Sequence, residues 1–206
     1  MTQQSAITYP LKMNFKLVAL APRVFVRDAM GNLLLYVHQK TFKLKEDIRI
    51  YQDEQKTNQL FAINADRILD FNANYSITHV DGRQIGTMKH KGLRSIWNSH
   101  WNLMNPSGQQ NFVITEDNAW VKILDSIANE ISIIGMFTGY FFNPSYTVYR
   151  GDDEKTGQPV MRLKKEPSFF ESSFTISRLE GELSRDEEMQ VILGLLLMVQ
   201  MERSRG

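Results

Sequence analysis

Residues 189–201 read MQVILGLLLMVQM, a helix-length segment that is apolar on every face. Only Gln190 and Gln200 interrupt it, so no polar stripe faces water and the helix must be enclosed. At about 1.5 Å per residue the segment spans about 20 Å, whereas crossing a bilayer requires about 20 residues and roughly 30 Å. The segment therefore predicts a core helix. The alternatives are a membrane-surface anchor and a helix buried by a partner.

A capping motif marks the start of this helix. Ser184 and Glu187 have the spacing of a capping box, in which the serine hydroxyl accepts from the N3 amide and the glutamate accepts from the serine amide. Acidic residues follow in the first turn and arginines at the other end, as the helix dipole favours. Gly194 in mid-helix costs about 1 kcal/mol relative to alanine, which predicts a close neighbour at that point.

Most of the remaining chain alternates apolar and polar residues with the period of half-buried antiparallel strands. Hairpin turns are predicted near residues 28–32, 81–82, 105–108 and 151–157, and Asp81-Gly82 gives the strongest of these signals. The pattern amounts to about ten to twelve strands, and a sheet of that size tends to curl or close. No linker or low-complexity segment divides the chain, so we expect one domain over residues 1–206.

One internal segment departs from the strand pattern. Five apolar residues at helical spacing predict an amphipathic helix outside the sheet or across one of its ends: Trp120, Ile123, Leu124, Ile127 and Ile131. Residues 131–142 that follow are strongly apolar and contain two glycines. They are interpreted either as a buried strand or plug, or as a loop that enters a membrane or a partner groove.

Composition narrows the possible partners and compartment. With 24 basic and 23 acidic residues the formal net charge is +1, so no global field attracts nucleic acid or an anionic membrane. Nucleic acid is not an expected partner, and any electrostatic partner must be recognised by a local patch. The absence of cysteine excludes disulfides and thiolate-held metal sites. Since no secretory signal pattern is evident, cytoplasmic residence is expected.

This order of antiparallel strands, Asp/Asn-Gly hairpins and a final apolar helix resembles the Tubby C-terminal-like fold. Between Asp28 and Lys91, the segments DAMGNLLLYVHQKTFKLKEDIRIYQDE and YSITHVDGRQIGTMKHKG are similar to LURP-one-related proteins and their phospholipid scramblase relatives. The resemblance implies a mainly β fold. It implies a closed antiparallel β-barrel of about 12 strands around a central hydrophobic C-terminal helix, with one outer amphipathic helix.

The relatives imply different functions. Tubby domains bind phosphoinositide head groups through a lysine and arginine patch on the barrel wall. Scramblases add a palmitoylated cysteine-rich segment and a calcium-binding loop before the terminal helix. This chain has no cysteine, and residues 171–179 offer one carboxylate, that of Glu171. Neither lipid attachment nor a calcium switch of the scramblase type is therefore expected.

The best local candidate for a binding site is basic. Two groups of cations would form one patch if their strands are neighbours: Lys40, Lys43, Lys45, Lys89, Lys91 and Arg94. Such a patch is expected to hold an acidic phospholipid or phosphoinositide head group, which would place the protein at the membrane periphery. The preferred interpretation of these cations is a solvated charged surface whose lysines discourage edge pairing, and the head-group patch is the alternative.

No residue pattern predicts catalysis, a cofactor or a metal site. The four histidines, His38, His79, His90 and His100, lack metal-ligand spacing, and neither a nucleophile elbow nor a phosphate-binding loop occurs. Trp97, Trp101 and Leu103 share one strand face that is expected to be core. The preferred function is a non-catalytic binding or regulatory module. The alternative is a protein-interaction or structural domain, without a lipid role, that docks or dimerises through residues 133–142.

Overall fold

The structure, a computed structural model, describes residues 7–18, 21–38, 47–67, 73–90, 100–117, 144–167 and 172–203. These residues form twelve strands and one helix. In chain order the elements are β1 (Leu11–Val18), β2 (Ala21–Arg27), β3 (Leu33–His38), β4 (Asp47–Tyr51), β5 (Gln59–Ala65), β6 (Asn74–His79), β7 (Gln84–His90), β8 (His100–Met104), β9 (Gln110–Glu116), β10 (Ser145–Arg150), β11 (Gln158–Glu166), β12 (Ser172–Arg178) and α1 (Arg185–Arg203).

The strands form a closed barrel in which each strand pairs antiparallel with its neighbour in sequence. β12 pairs with β1 and closes the ring, with Leu11 opposite Ile176 and Met13 opposite Phe174. Among the twelve described strands, closure leaves no edge open to pair with another chain. The predicted fold class of a closed antiparallel barrel with a C-terminal helix is confirmed.

Residues along the strands alternate between the core and the outer surface, as the alternation of apolar and polar residues predicts. In β4, Ile48 and Ile50 point into the core while the residues between and beside them face outward. The Asp81-Gly82 turn joins β6 to β7, and Gly82 takes a φ of 90°, where a side chain would be strained. Its amide donates to the carbonyl of His79 at 2.9 Å, so this predicted hairpin is confirmed.

Helix α1 lies inside the barrel. Every residue from Glu188 to Met201 is buried, and most of the apolar ones have no exposed surface. The capping box is present: the Glu187 amide donates to Ser184 Oγ at 3.3 Å, and the Ser184 amide donates to Glu187 Oε2 at 2.9 Å. The prediction of a core helix is therefore confirmed, because the barrel supplies an apolar partner to all faces of the segment.

Two glycines make room for this helix. A Cβ at Gly194 would lie 2.9 Å from Leu103 Cδ2, which is the close neighbour that a mid-helix glycine predicts. A Cβ at Gly86 on β7 would collide with the side chain of Gln190. The Gln190 Nε2 donates to the Met104 carbonyl at 2.8 Å, and its Oε1 accepts from Asn111 Nδ2 at 2.8 Å. The buried amide is thus hydrogen-bonded to the barrel wall.

The antiparallel order fixes what lies at each end of the barrel. β12 leads directly into α1, so the helix enters the barrel at the end where β12 finishes. The same end carries the turns β2–β3, β4–β5, β6–β7, β8–β9 and β10–β11. We call this the helix-entry end, formed by residues 28–32, 52–58, 80–83, 105–109, 151–157 and 179–184. β1, β3, β5 and β7 all finish at the opposite end.

Several sequence predictions lie outside the described residues. They are the amphipathic helix from Trp120 to Ile131, the apolar segment at residues 133–142, and Trp97. Trp101 and Leu103 are described and fully buried, which confirms that their face of β8 is core. Within the described ranges, no helix combines the length and the hydropathy that crossing a membrane requires.

Candidate functional site

Charged side chains concentrate in two regions of the described structure, and the first surrounds the start of α1. The buried carboxylate of Glu188 accepts three hydrogen bonds: from Tyr9 Oη at 3.0 Å, Arg178 Nη1 at 3.2 Å and Arg185 Nη1 at 3.2 Å. Burial, followed by the nearby Glu188 charge, raises the pKa of Tyr9, so its hydroxyl stays protonated and donates. The contact joins α1 to the N-terminal segment and to β12.

Glu187 and Asp186 are also paired with arginines. Arg150 on β10 donates to Glu187 Oε1 at 2.6 Å and to Oε2 at 3.3 Å, and it caps the Glu182 carbonyl at 2.8 Å. The hydrogen bond from Arg150 lowers the pKa of Glu187, with further help from the Ser184 amide. Asp186 pairs with Arg83 from the β6–β7 turn.

This helix-entry cluster holds the fold together and offers little chemistry. A carboxylate whose oxygens already accept three hydrogen bonds from the fold is poorly placed to contact a substrate. The described part of the chain contains no group of three His, Cys, Asp or Glu side chains that could hold a metal ion. The cluster is therefore structural: it fixes the start of α1 to the N-terminal segment, β10 and β12.

The second charged region is the outer face of β12, β1 and β2, which we call the basic wall. It carries four cations, Lys12, Lys16, Arg23 and Arg27. The strand neighbours of these cations point into the core, so the cations face outward. Strands β12, β1, β2 and β3 are consecutive in the barrel and contain no acidic residue. The wall therefore has a locally positive field despite the neutral composition of the chain.

The register places these cations directly against one another. Lys12 lies opposite Arg27 and Lys16 lies opposite Arg23, with the pair Asn14 and Phe25 between them. Like charges in cross-strand pairs destabilise a sheet. Part of that cost is offset at the Phe25 ring, whose centroid is 5.9 Å from the Lys16 Nζ and 5.7 Å from the Arg27 Cζ.

The wall continues around the barrel in one direction. Lys12 lies opposite Thr175 on β12, and Thr175 lies opposite Lys164 on β11. Lys164 is exposed, so a row of outward cations runs from β11 through β1 to β2 with one threonine between. Beside this row, Ser173 Oγ donates to Asn14 Oδ1 at 2.8 Å. The surface between the cations is therefore polar and uncharged.

The sequence-predicted patch is only partly visible. Lys89 lies exposed on β7, and its register partners are Asn74 and Asn102. β7 is six strands from β1 in either direction around the ring, so Lys89 lies on the wall opposite Lys12. The other predicted residues lie outside the described ranges: Lys40, Lys43, Lys45, Lys91 and Arg94. Their flanking strands β3 and β7 finish at the same end of the barrel, and their convergence stays a prediction.

Sequence reasoning missed the basic wall, although a signal was present. Residues 1–27 contain four cations and no acidic residue. In both strands two cations are four residues apart, as in KMNFK and RVFVR, which places them on one face of a strand. The spacing alone does not show that Lys12 lies opposite Arg27, because that depends on the register of the β1–β2 hairpin.

Comparison with known proteins gives a family match in the central part of the chain. Residues 33–127 match the family model of the LURP-one-related proteins. This match confirms the LURP-one-related resemblance, and that family belongs to the Tubby-like superfamily. No curated protein and no solved structure gives a significant match.

The LURP-one-related match has a defined extent. It begins at β3 and includes β3 to β9, so β1, β2 and β12 lie outside it. It agrees with a Tubby-like binding or regulatory domain and specifies no lipid. The basic wall is therefore a feature of this chain that rests on its own geometry.

Proposed function

We propose that this LURP-one-related protein is a non-catalytic module that docks on anionic phospholipid surfaces through the basic wall. The observation that carries the proposal is the register of β1 and β2, which places Lys12 opposite Arg27 and Lys16 opposite Arg23 on strands that contain no carboxylate. Folding alone does not favour such an arrangement, because each pair lowers the stability of the sheet. An anionic partner is attracted to both cations of a pair and offsets the repulsion between them.

The expected strength of that attraction is sufficient for peripheral binding. Each lysine or arginine near an anionic leaflet contributes about 1 kcal/mol, and the effect fades within about 8 Å at physiological salt. The four cations of the wall then supply about 4 kcal/mol. This binding is expected to weaken steeply as salt is added, whereas docking through apolar side chains is not.

The spacing of the cations favours a surface over a single head group. Lys12 and Lys16 are four residues apart on β1, so the two cation pairs are separated by about 13 Å at about 3.3 Å per residue. One phosphate cannot bridge that distance. We therefore propose that the wall responds to the charge density of several head groups, and a phosphatidylserine-rich surface provides that arrangement.

Flotation with vesicles tests the proposal. The vesicles contain phosphatidylcholine alone, phosphatidylcholine with phosphatidylserine, or phosphatidylcholine with a phosphoinositide at the same total charge. We expect binding to both anionic compositions with similar affinity and none to the neutral one. Equal binding to neutral vesicles, or binding to the phosphoinositide alone, would contradict the charge-density proposal.

Matched variants locate the surface. The triple variant Lys12→Gln/Lys16→Gln/Arg23→Gln is expected to bind anionic vesicles about 100-fold more weakly, from about 1 kcal/mol per cation. The control Arg49→Gln/Arg67→Gln/Lys155→Gln removes the same charge from other strands and turns, and it is expected to bind nearly as well as the original chain. Equal losses in the two triple variants would show a response to net charge only.

The sequence-predicted patch is tested separately. Lys40, Lys43 and Lys45 follow His38 in the chain, and His38 is the register partner of Arg23. A Lys43→Glu/Lys89→Glu variant that binds anionic vesicles as well as the original chain would remove the sequence-predicted patch. Lys89→Gln alone is expected to leave binding unchanged, because Lys89 lies on the opposite wall.

A further inference from the structure

Two aromatic residues on the outer face of the barrel are covered. Phe25 and Tyr36 lie opposite each other on β2 and β3, and their strand neighbours form the core, so both rings face outward. Their ring centroids are 5.1 Å apart with an interplanar angle of 52°. Tyr36 is only 2% exposed and Phe25 only 6%. The Lys16 and Arg27 side chains lie against the Phe25 ring. Since the outer face of a closed barrel meets solvent, the burial of Tyr36 requires cover from a further segment.

The covering segment is the β4–β5 loop, residues 52–58. It contacts the barrel on both sides of Tyr36: Glu54 Oε1 lies 3.8 Å from Arg27 Nη2, and Lys56 Nζ lies 3.2 Å from His38 Nδ1. The register places the Tyr36–Phe25 pair between the Arg27–Leu33 and His38–Arg23 pairs. The loop therefore crosses Tyr36. Burial raises the pKa of the Tyr36 hydroxyl, and the charge of Glu54 acts in the same direction.

The loop is hydrogen-bonded within itself, and its ion pair with the wall is exposed to solvent. The Asp53 carboxylate accepts from the Thr57 amide at 3.0 Å and from the Asn58 amide at 2.8 Å. Lys56 has a φ of 61°, a left-handed conformation that is strained for a side-chain-bearing residue. The ion pair between Arg27 and Glu54 is long, with the side chains 37% and 47% exposed, and such pairs add little stability.

We infer that the β4–β5 loop is a displaceable cover of the basic wall, and that anionic head groups take the place of Glu54 at Arg27. The loop carries two carboxylates, Asp53 and Glu54, against one ammonium, Lys56, so its net charge is −1 on a wall of cations. An anionic surface competes directly with that charge. This inference rests on the proposed function and adds regulation to it: the loop lowers the affinity of the free protein, and its release commits Arg27 to the surface.

Two measurements on phosphatidylserine vesicles test the cover. The first compares Glu54→Gln with Glu180→Gln, which makes the same chemical change at an exposed residue of the helix-entry end. Glu54→Gln is expected to bind three- to fivefold more tightly, and Glu180→Gln to change affinity less than twofold. The second places a spin label on Gln55→Cys, which is unambiguous because the chain has no other cysteine. The label is expected to become more mobile when vesicles are added.

The outcomes separate the two proposals. Tighter binding by Glu54→Gln together with a mobile label supports the cover. A label that stays as immobile as in the free protein overturns the cover, whatever Glu54→Gln does, because removal of a negative charge alone could then explain the affinity. In that case the proposed function stands as long as the Lys12, Lys16 and Arg23 triple variant still loses binding. If the original chain does not bind anionic vesicles, the proposed function and the cover both fail.

Discussion

The helix-entry end and the basic wall use charge in opposite ways. At the start of α1 each carboxylate has an arginine partner: Asp186 with Arg83, Glu187 with Arg150, and Glu188 with Arg178 and Arg185. On the wall, cation faces cation across the β1–β2 ladder. Matched charges hold a helix in place, whereas cations gathered on one face of the barrel attract an external anion. The difference separates the structural part of the molecule from the candidate binding part.

Removal of Glu188 is expected to have the largest effect on stability. In Glu188→Ala, Arg178, Arg185 and Tyr9 lose the acceptor that they share. We expect a loss of about 2 kcal/mol in the free energy of unfolding, since hydrogen bonds to charged groups are among the stronger ones. Urea denaturation measures it. Glu180→Ala, at an exposed site before the helix, serves as control and is expected to change stability by no more than about 0.5 kcal/mol.

Acid is expected to weaken the helix-entry end through Glu187. Arg150 lowers the pKa of Glu187 in the folded protein, so the folded state favours the charged form. That contribution is complete above the unfolded pKa of about 4.3 and is lost as the pH falls through the lower folded pKa. Urea midpoints across this range should therefore drop less steeply in Arg150→Gln than in the original chain. Identical pH profiles would show that the ion pair is unimportant.

Relief of repulsion on the wall is expected to have the smallest effect, and its sign is opposite. Arg23 faces Lys16, and its Nε is buried with no hydrogen-bond partner in the described structure. Arg23→Thr should therefore raise the free energy of unfolding by about 0.5 kcal/mol. Arg49→Thr is the matched control, because Arg49 also faces outward from a strand but pairs with Asp47 at 2.9 Å. Destabilisation by Arg23→Thr would mean that the wall cations are structural.

The sequence predicted the fold from local signals. A helix that is apolar on every face must be buried by the rest of the chain. The alternation of apolar and polar residues, together with the Asp-Gly hairpin, predicts the strands that bury it. The contacts that close the barrel could not be read in this way, because β1 near the start of the chain pairs with β12, where Leu11 lies opposite Ile176. Long-range closure depends on which strands meet, and periodicity does not contain that information.

The sequence-predicted patch and the basic wall are different kinds of feature. Clustering along the chain drew attention to Lys40, Lys43 and Lys45, whereas the basic wall combines sparse cations through cross-strand register. Lys12 and Arg27 are far apart in sequence and opposite in space. The absence of acidic residues from residues 1–27 is evident in the sequence. That these cations form one surface depends on the pairing of β1 with β2.

The central claim is that the β12–β1–β2 face meets the membrane, and labels at single cysteines test it most directly. Thr175 on β12 and Ser76 on β6 are partly exposed hydroxyl residues, six strands apart around the barrel, so they form a matched pair on opposite walls. Each is replaced by cysteine in this cysteine-free chain and labelled with a polarity-sensitive fluorophore. With phosphatidylserine vesicles, the account predicts a blue shift at Thr175→Cys and none at Ser76→Cys. Equal shifts at both sites, or a shift at Ser76→Cys alone, would contradict it.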